Sequence, residues 1–310
     1  MKITIKVPAT SANLGPGFDA LGLALDLWNE TEFTPADTFS LHVQGEGADK
    51  LAPNAKNLIA RSMQKVYNEA GKQMPALEIR CLNHIPLSAG LGSSAAAIIT
   101  GLLGANALLD SILSNDEILN LAAEIEGHPD NVAPALMGGL VVSTINEGKV
   151  IAQKIAIGAT SRRPGETTSP LHVTVVQPDF NFPTKQARAV LPKQVSMKDA
   201  VHNLSRAVLV TEAFRTGDLD LLGQAMQDSL HQPYRLPLIP GAHEAMDAAK
   251  RAGASAVALS GAGPSLIAFS ADHDAGIGEA MKREFESAGL DVRVFELGVS
   301  EEGAQVKSGE

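Results

Sequence analysis

Polar and apolar residues alternate over residues 2–7, the period of a strand with one buried face. Pro8 is expected to end that strand, and a Gly- and Pro-rich loop follows as far as Gly22. Strand patterns resume over residues 22–33 and 39–43, with Asp37 near the turn between them. Residues 57–70 carry apolar side chains at helical spacing and stop at Gly71. Residues 77–82 alternate again. A second glycine-rich loop, residues 86–92, then leads into an Ala-rich helix over 93–109. Ser114 or Asn115 caps a further helix that reaches Glu126. Strands are expected over 138–143, 150–157 and 171–177, with a polar loop at 161–170 between the last two.

Helical patterns dominate the second half, over residues 197–215, 219–230 and 242–252. A strand at 254–259, a third glycine-rich turn at 260–265 and a strand at 266–270 come next. A helix at 275–288 and a strand at 291–296 complete the pattern, and the polar tail beyond is expected to fray. Strands and helices interleave without regular βαβ alternation, so an α+β protein with mixed sheets fits better than a doubly wound one. A boundary between 160 and 170 divides the chain into expected domains at 1–165 and 166–310.

Composition narrows the function. The chain has 310 residues, 45% apolar and 19% charged, which is enough for a real hydrophobic core and argues against disorder. Lys and Arg number 25 against 35 Asp and Glu, a net charge of −10. That balance argues against a nucleic-acid partner, because counterion release needs a basic face. It leaves room for a small anionic substrate held by a local arginine cluster. Cys81 is the single cysteine, so neither a disulfide nor a cysteine-based zinc site is possible within the chain. No apolar run reaches membrane-spanning length and no signal-peptide pattern opens the sequence, so a cytoplasmic enzyme without a membrane partner is expected.

The chemistry concentrates in the three glycine loops. The middle one reads Pro86-Leu87-Ser88-Ala89-Gly90-Leu91-Gly92-Ser93-Ser94-Ala95-Ala96. Gly90 and Gly92 let backbone N–H groups approach an anion, Ser93 and Ser94 supply hydroxyls and a helix cap, and the helix N-terminus adds partial positive charge. Taken alone, the same loop also reads as a plain cap on a buried helix. A dinucleotide fingerprint fits Gly90 to Ala95, but the residues after Asp110 are helical where that fold needs a strand. A P-loop and the protein-kinase motifs are both absent. The first loop, Pro8 to Gly22, holds Asn13 and Asp19 and reads either as a binding loop or as a structured Ω-loop. The third, Ser260-Gly261-Ala262-Gly263-Pro264-Ser265, reads as a tight hairpin turn or a closing loop.

In this order and with these spacings the three loops resemble the GHMP kinases (galactokinase, homoserine kinase, mevalonate kinase, phosphomevalonate kinase) over nearly the whole chain. The resemblance implies a two-part fold with nucleotide between the halves. The N-terminal half would be of the ribosomal protein S5 domain 2-like type and the C-terminal half a ferredoxin-like α/β sandwich. It implies ATP and Mg²⁺ as cofactors, residues 86–96 around the phosphates, Asn57 beside the adenine, and Gly261 and Gly263 closing on the site. A homodimer is implied too.

The segments Glu124-Ile-Glu-Gly-His-Pro-Asp-Asn-Val-Ala-Pro-Ala135, Phe182 to Pro192 and Gln232 to Gly241 are similar to the homoserine kinase branch. L-Homoserine is therefore the expected acceptor, within threonine biosynthesis; a mevalonate-type or sugar acceptor, or a silent metabolite sensor, is the alternative. A zwitterion with a terminal hydroxyl needs a cation for its carboxylate, and Arg188 and Arg235 are the natural clamps. Asn13, Asp19, His128, Asn131 and Thr184 supply the remaining expected polar contacts. By resemblance Ser94 and Glu124 hold Mg²⁺; Glu126, two positions along the helix, points to another side. Asp130 is the candidate to take the hydroxyl proton.

Overall fold

The computed structural model describes residues 2–158, 171–271 and 275–309. The expected boundary at 165 and the loop at 161–170 lie outside the described residues. In chain order the elements are β1 (Lys2–Ala12), β2 (Leu21–Pro35), β3 (Ser40–Gly45), α1 (Leu58–Glu69), β4 (Leu77–Asn83), α2 (Ser93–Leu108), α3 (Asn115–Glu126), α4 (Val132–Met137), β5 (Leu140–Asn146), β6 (Lys149–Ile155), β7 (His172–Pro178), α5 (Thr184–Ala189), α6 (Met197–Thr216), α7 (Leu219–Ala225), α8 (Gln232–Arg235), α9 (Ala242–Arg251), β8 (Ala256–Leu259), β9 (Leu266–Ser270), α10 (Ala275–Ser287), β10 (Val292–Gly298) and β11 (Gln305–Gly309).

A mixed seven-stranded sheet forms the first half, in the order β11-β1-β2-β4-β3, with β5 pairing β2 and β6. Only β3 and β4 run parallel among its pairs. Two expectations are corrected here. Pro8 does not end β1; the register against β2 slips between Pro8 and Ala9, and the strand continues to Ala12. A residue without an N–H is tolerated at such a bulge. Nor does the tail fray: β11 pairs antiparallel with β1, setting Val306 opposite Ile5 and covering an otherwise open edge.

Helices α1 and α2 lie against this sheet in one core with Phe33, Met63, Ile99 and Leu102. The Ala/Gly composition of α2 is what lets them approach. A Cβ on Gly101 would stand 2.3 Å from the Ile59 carbonyl oxygen, so nothing larger fits. The second sheet is antiparallel throughout, in the order β10-β7-β9-β8. One face packs Leu259, Leu266 and Ala268 against Ala245, Ile277, Met281 and Phe285 of α9 and α10. Its other face joins Val175, Ile267 and Phe269 to Val210, Phe214 and Leu222 of α6 and α7, in the same core as the first half. A shared core fixes the cleft between the halves, and the three glycine loops meet there.

Candidate active site

Backbone bonds stitch the loops together. The Thr10 N–H donates to the Leu91 oxygen at 3.1 Å, and the Gly261 N–H donates to the Ala12 oxygen at 2.9 Å. Ser260 Oγ donates to the Gly90 oxygen at 2.7 Å and lies 2.8 Å from Ser11 Oγ. Ser265 follows the turn, and β8 and β9 pair directly on either side, so the segment is a hairpin, one whose Gly261 and Gly263 face the cavity. Gly90 has φ +74°, and a Cβ there would stand 2.1 Å from the Ser260 oxygen. Gly90→Ala is expected to pry these loops apart, lowering Tm by roughly 5 °C or more and raising the ATP KM at least about tenfold. A thermal scan and ATP kinetics check this; unchanged values in both would mean the loops part freely.

Helix α2 starts at Ser93 behind a left-handed Gly92, with no side-chain cap. The expected serine cap is thus corrected: the helix end stays open, and Ser94 Oγ donates to the Glu126 carboxylate instead. An uncapped helix N-terminus with glycines before it favours an anion. Strain gathers at the same place, since Asn13, Asp19 and Ser88 all adopt left-handed backbone with φ of 60°, 53° and 55°.

The cavity at this junction has a volume of about 180 Å³. Of the sequence-predicted residues, Asn13, Ser88 to Ser94, His128, Asn131, Thr184, Arg188, Arg235, Gly261 and Gly263 line it. A neighbouring cavity of about 330 Å³ shares Ser88, Ser93 and Ser94 and continues over Leu87 and Asn57. Asn57 caps α1, its side chain accepting from the Ile59 N–H at 3.0 Å and donating to Ala52. Pro86, Ala95 and Ala96 line neither cavity; Ala95 and Ala96 are packed in the core.

The largest correction concerns the carboxylate. Glu124 points away from the cleft and accepts from Lys65 Nζ at 3.0 Å on the exposed side. Glu126 lines the cavity beside Ser94. Helix α3 buries Ile118, Leu119, Ala122 and Ala123, and Glu126 continues that inward stripe while Glu124 lies off it. Burial raises the Glu126 pKa, against the Ser94 hydroxyl bond and nearby His128, which lower it.

Charged partners stand behind the cavity wall, where Asp130 and Asp19 back His128 and Arg188 without lining the cavity themselves. Asp130 is fully buried; its Oδ1 lies 2.5 Å from His128 Nδ1, and its Oδ2 has no hydrogen-bond partner. Burial works against the His128 cation, but the Asp130 carboxylate outweighs it and the pKa lies above the ordinary value. Thr10 Oγ1 donates to Asn131 Oδ1 at 2.9 Å, and Asn13 Oδ1 accepts from the Asp19 N–H at 2.9 Å. Asp19 and Arg188 form a two-pronged ion pair at 2.7 and 3.0 Å.

Arg235 differs from Arg188. It is fully buried, and no carboxylate among the described residues is within salt-bridge distance. Its Nε donates to the Ala187 oxygen at 3.1 Å, and NH1 donates to His231 Nδ1 at 3.3 Å and the Gly261 oxygen at 3.4 Å. Burial, and next the Arg188 guanidinium, lower its pKa to about 10. Two residues that the sequence reading missed hold it. His231 donates from Nε2 to the Gly15 oxygen at 2.8 Å, which leaves Nδ1 as the acceptor facing Arg235. The Phe18 ring stacks on His231 at 5.3 Å and lies under both guanidiniums, 5.2 Å from Arg235 and 5.6 Å from Arg188.

Known proteins share this architecture. Residues 57–139 match the GHMP kinases N terminal domain and residues 210–287 the GHMP kinases C terminal family. A homoserine kinase from Moorella thermoacetica is 43% identical over 302 residues, 97% of this chain and 99% of that one. One from Carboxydothermus hydrogenoformans is 40% identical over 97% and 96%. The crystal structure of homoserine kinase from Cytophaga hutchinsonii superposes with a TM-score of 0.85 at 31% identity, covering 99% and 97% of the two chains. A mevalonate kinase structure, 18% identical with a TM-score of 0.68, shares the fold.

Proposed function

The chain belongs to the GHMP kinase family, in its homoserine kinase branch, and on that footing we propose that its cleft moves the γ-phosphate of ATP onto the side-chain hydroxyl of L-homoserine. It is an ATP-dependent phosphotransferase with an alcohol acceptor. The products are O-phospho-L-homoserine and ADP, a step toward threonine. The observation that carries the acceptor is Arg235: a buried guanidinium with no carboxylate partner among the described residues, opening on the same small cavity as an uncapped helix N-terminus. A buried cation of that kind calls for an anion, and a ligand carboxylate supplies one. Asp19, across from Arg188, offers the acceptor for the ligand ammonium.

Phosphoryl transfer needs positioning and charge neutralisation more than covalent chemistry. The loop around Gly90 and Gly92, with Ser93 and the first N–H groups of α2, would hold the β- and γ-phosphates. The neighbouring cavity, floored by Leu87 and Ile59, would take the adenine. As the acceptor oxygen bonds to the γ-phosphorus, the bond to the β-bridging oxygen breaks and ADP leaves. The hydroxyl proton passes to Asp130, whose Oδ2 is unpartnered. His128 then stabilises the pair through its bond to Oδ1.

The residues present fit Mg²⁺. No cluster of three or more His, Cys, Asp or Glu suited to a metal occurs among the described residues. Ser94 and Glu126 instead give two oxygen donors beside the phosphate loop, the small protein share that Mg²⁺ takes in such sites. Burial raises the Glu126 pKa, and a bound cation would favour its carboxylate form. Bound there, the ion would neutralise phosphate charge.

We read the first half as S5 domain 2-like and the second as a ferredoxin-like sandwich, supported by an antiparallel sheet with α9 and α10 on one face. We keep the domain limits at 1–165 and 166–310. We also take the protein to be cytoplasmic; no helix among the described residues is long and apolar enough to cross a membrane.

The test is ADP release from purified protein with Mg-ATP, offered L-homoserine, D-homoserine, L-serine, mevalonate and galactose in parallel. The expected result is release dependent on L-homoserine and at least about tenfold slower with L-serine, which lacks one methylene. Release with mevalonate or galactose alone would move the acceptor to another branch of the family.

A further inference from the structure

A further cavity, of about 510 Å³, lies among α7, α8, α9 and β8. It shares no lining residue with the two cavities of the catalytic cleft, and phosphoryl transfer makes no use of it. Its volume falls in the range of small-molecule sites. Met226, Leu236 and Val257 are buried along its wall and Met246 is half buried there, an apolar surface that the two methionines can reshape around a guest.

Its polar groups define the guest. Gln232 is only 5% exposed, and its Oε1 accepts from the Leu259 N–H at 2.7 Å, which fixes the orientation of the amide. Its Nε2 has no partner among the described residues and is not sealed from solvent, so this donor opens on the cavity. A nearly buried donor left open is satisfied by a ligand that accepts from it. His243 and Lys250 share one face of α9 with Met246, at steps of three and four residues. Neither side chain has a hydrogen bond or ion pair among the described residues. Asp228 also lines the cavity, but its carboxylate is already matched: Oδ1 accepts from the Leu230 N–H at 2.9 Å, and Oδ2 from those of His231 and Gln232 at 2.9 and 2.6 Å. Its side chain has no exposed surface. The unmatched groups are therefore chiefly donors, one of them a cation, set around an apolar wall. We propose that this cavity binds a small carboxylate with an apolar chain, the carboxylate on the donors of Gln232 and Lys250 and the chain on Met226 and Met246.

The same residues back the catalytic cleft. Gln232 and Arg235 are the two ends of α8, and Asp228 holds the N–H groups of both Gln232 and His231. Through Leu259, Gln232 also steadies the neighbouring Ser260, whose Oγ bonds to the Gly90 oxygen of the middle loop. Met226 touches the first loop, where a Cβ on Gly15 would stand 2.6 Å from its sulfur. A carboxylate that accepts from Gln232 thus steadies α8 with Arg235 turned into the catalytic cavity. It binds more tightly when homoserine is bound, and homoserine gains by the same factor. This coupling rests on the acceptor proposed above; the binding itself does not.

Titration calorimetry on the full chain tests the site, with hexanoate as the probe and hexylammonium and hexanol as controls of the same chain length. Wild type is expected to bind hexanoate with a Kd of about 1 mM or tighter, and both controls at least about tenfold more weakly. Saturating L-homoserine should leave this binding in place or strengthen it; displacement would put the probe on Arg235 and overturn the site. Met246→Trp fills the cavity and Lys250→Glu reverses its charge. Each is expected to weaken hexanoate at least about fivefold, with far-UV circular dichroism and basal turnover unchanged. No binding up to about 10 mM, hexanol bound as well as hexanoate, or affinity that both variants keep would overturn the proposal. With hexanoate saturating, the homoserine KM is expected to fall at least about twofold in wild type and to stay constant in Met246→Trp. An unchanged wild-type KM overturns the coupling, and a protein that binds hexanoate through Lys250 yet turns over no homoserine overturns only the acceptor reading.

Discussion

Replacing Arg235 with alanine or methionine is expected to lower kcat/KM for L-homoserine by roughly 10²–10³-fold, about 3–4 kcal/mol, with the ATP KM within about twofold of wild type. The size follows from burial. A fully buried guanidinium meets a ligand carboxylate without water to screen it, so losing one partner leaves the other unpaired. The loss should appear in the homoserine KM, because the carboxylate is equally bound before and during transfer. Stability should behave differently. Among the described residues no carboxylate pairs with Arg235, and burial followed by Arg188 depresses its pKa to about 10. A folded pKa below the unfolded one means that the charge opposes folding at any pH below about 10, and that this opposition fades as pH rises past it. The methionine variant gives up this penalty along with bonds to Ala187 and Gly261, so its Tm should stay within about 3 °C of wild type. L-Homoserine should raise the Tm of wild type and not of the variant. Equal weakening of both substrates would argue that Arg235 props the loops and does not clamp a ligand.

Arg188→Ala should be milder, because its guanidinium is already matched to Asp19 and its side chain is 37% open to water. Its removal frees Asp19 instead of orphaning a ligand carboxylate in a dry site.

The alternating and 3.6-residue patterns located nearly every long element, since burial of one face is what those periods record. The Ser114 cap and its partner Glu117 began α3 where the pattern placed it. What the patterns could not carry was pairing between distant segments. Nothing local in residues 305–309 says that they will cover the edge of β1. The bulge after Pro8 likewise depends on β2. Helices α4 and α5 span six residues each, too short for a period to emerge, and Pro134 interrupts the first. In the site, the middle loop and both arginines were legible by residue type. Phe18 and His231 were not, because each acts by lying against a group more than two hundred residues away or in another half. Glu126 is the instructive case. Its membership of the buried stripe of α3 was written in the spacing of Ile118, Leu119, Ala122 and Ala123. The resemblance pointed to Glu124, whereas helix phase puts Glu126 at the cavity and Glu124 beside Lys65.

That distinction makes the last expectation a comparison of two glutamates two residues apart. Glu126→Gln keeps the shape and the hydrogen bond to Ser94 but removes the negative charge beside the phosphate loop. Turnover at saturating substrates is expected to fall at least about 10²-fold, and the Mg²⁺ concentration for half-maximal rate to rise at least about tenfold. Folding should not suffer, because burial disfavours the charged form of Glu126 and the amide avoids that cost. Glu124→Gln loses only an exposed bond to Lys65, worth well under about 1 kcal/mol, and should match wild type in rate and Mg²⁺ dependence. Equilibrium binding of ATP with and without Mg²⁺ separates the roles further: metal-enhanced binding should be lost in the Glu126 variant and kept in the Glu124 variant. The reverse pattern would mean that α3 turns in the loaded enzyme to present Glu124, and a flat response in both would leave Ser94 as the sole protein donor to the ion.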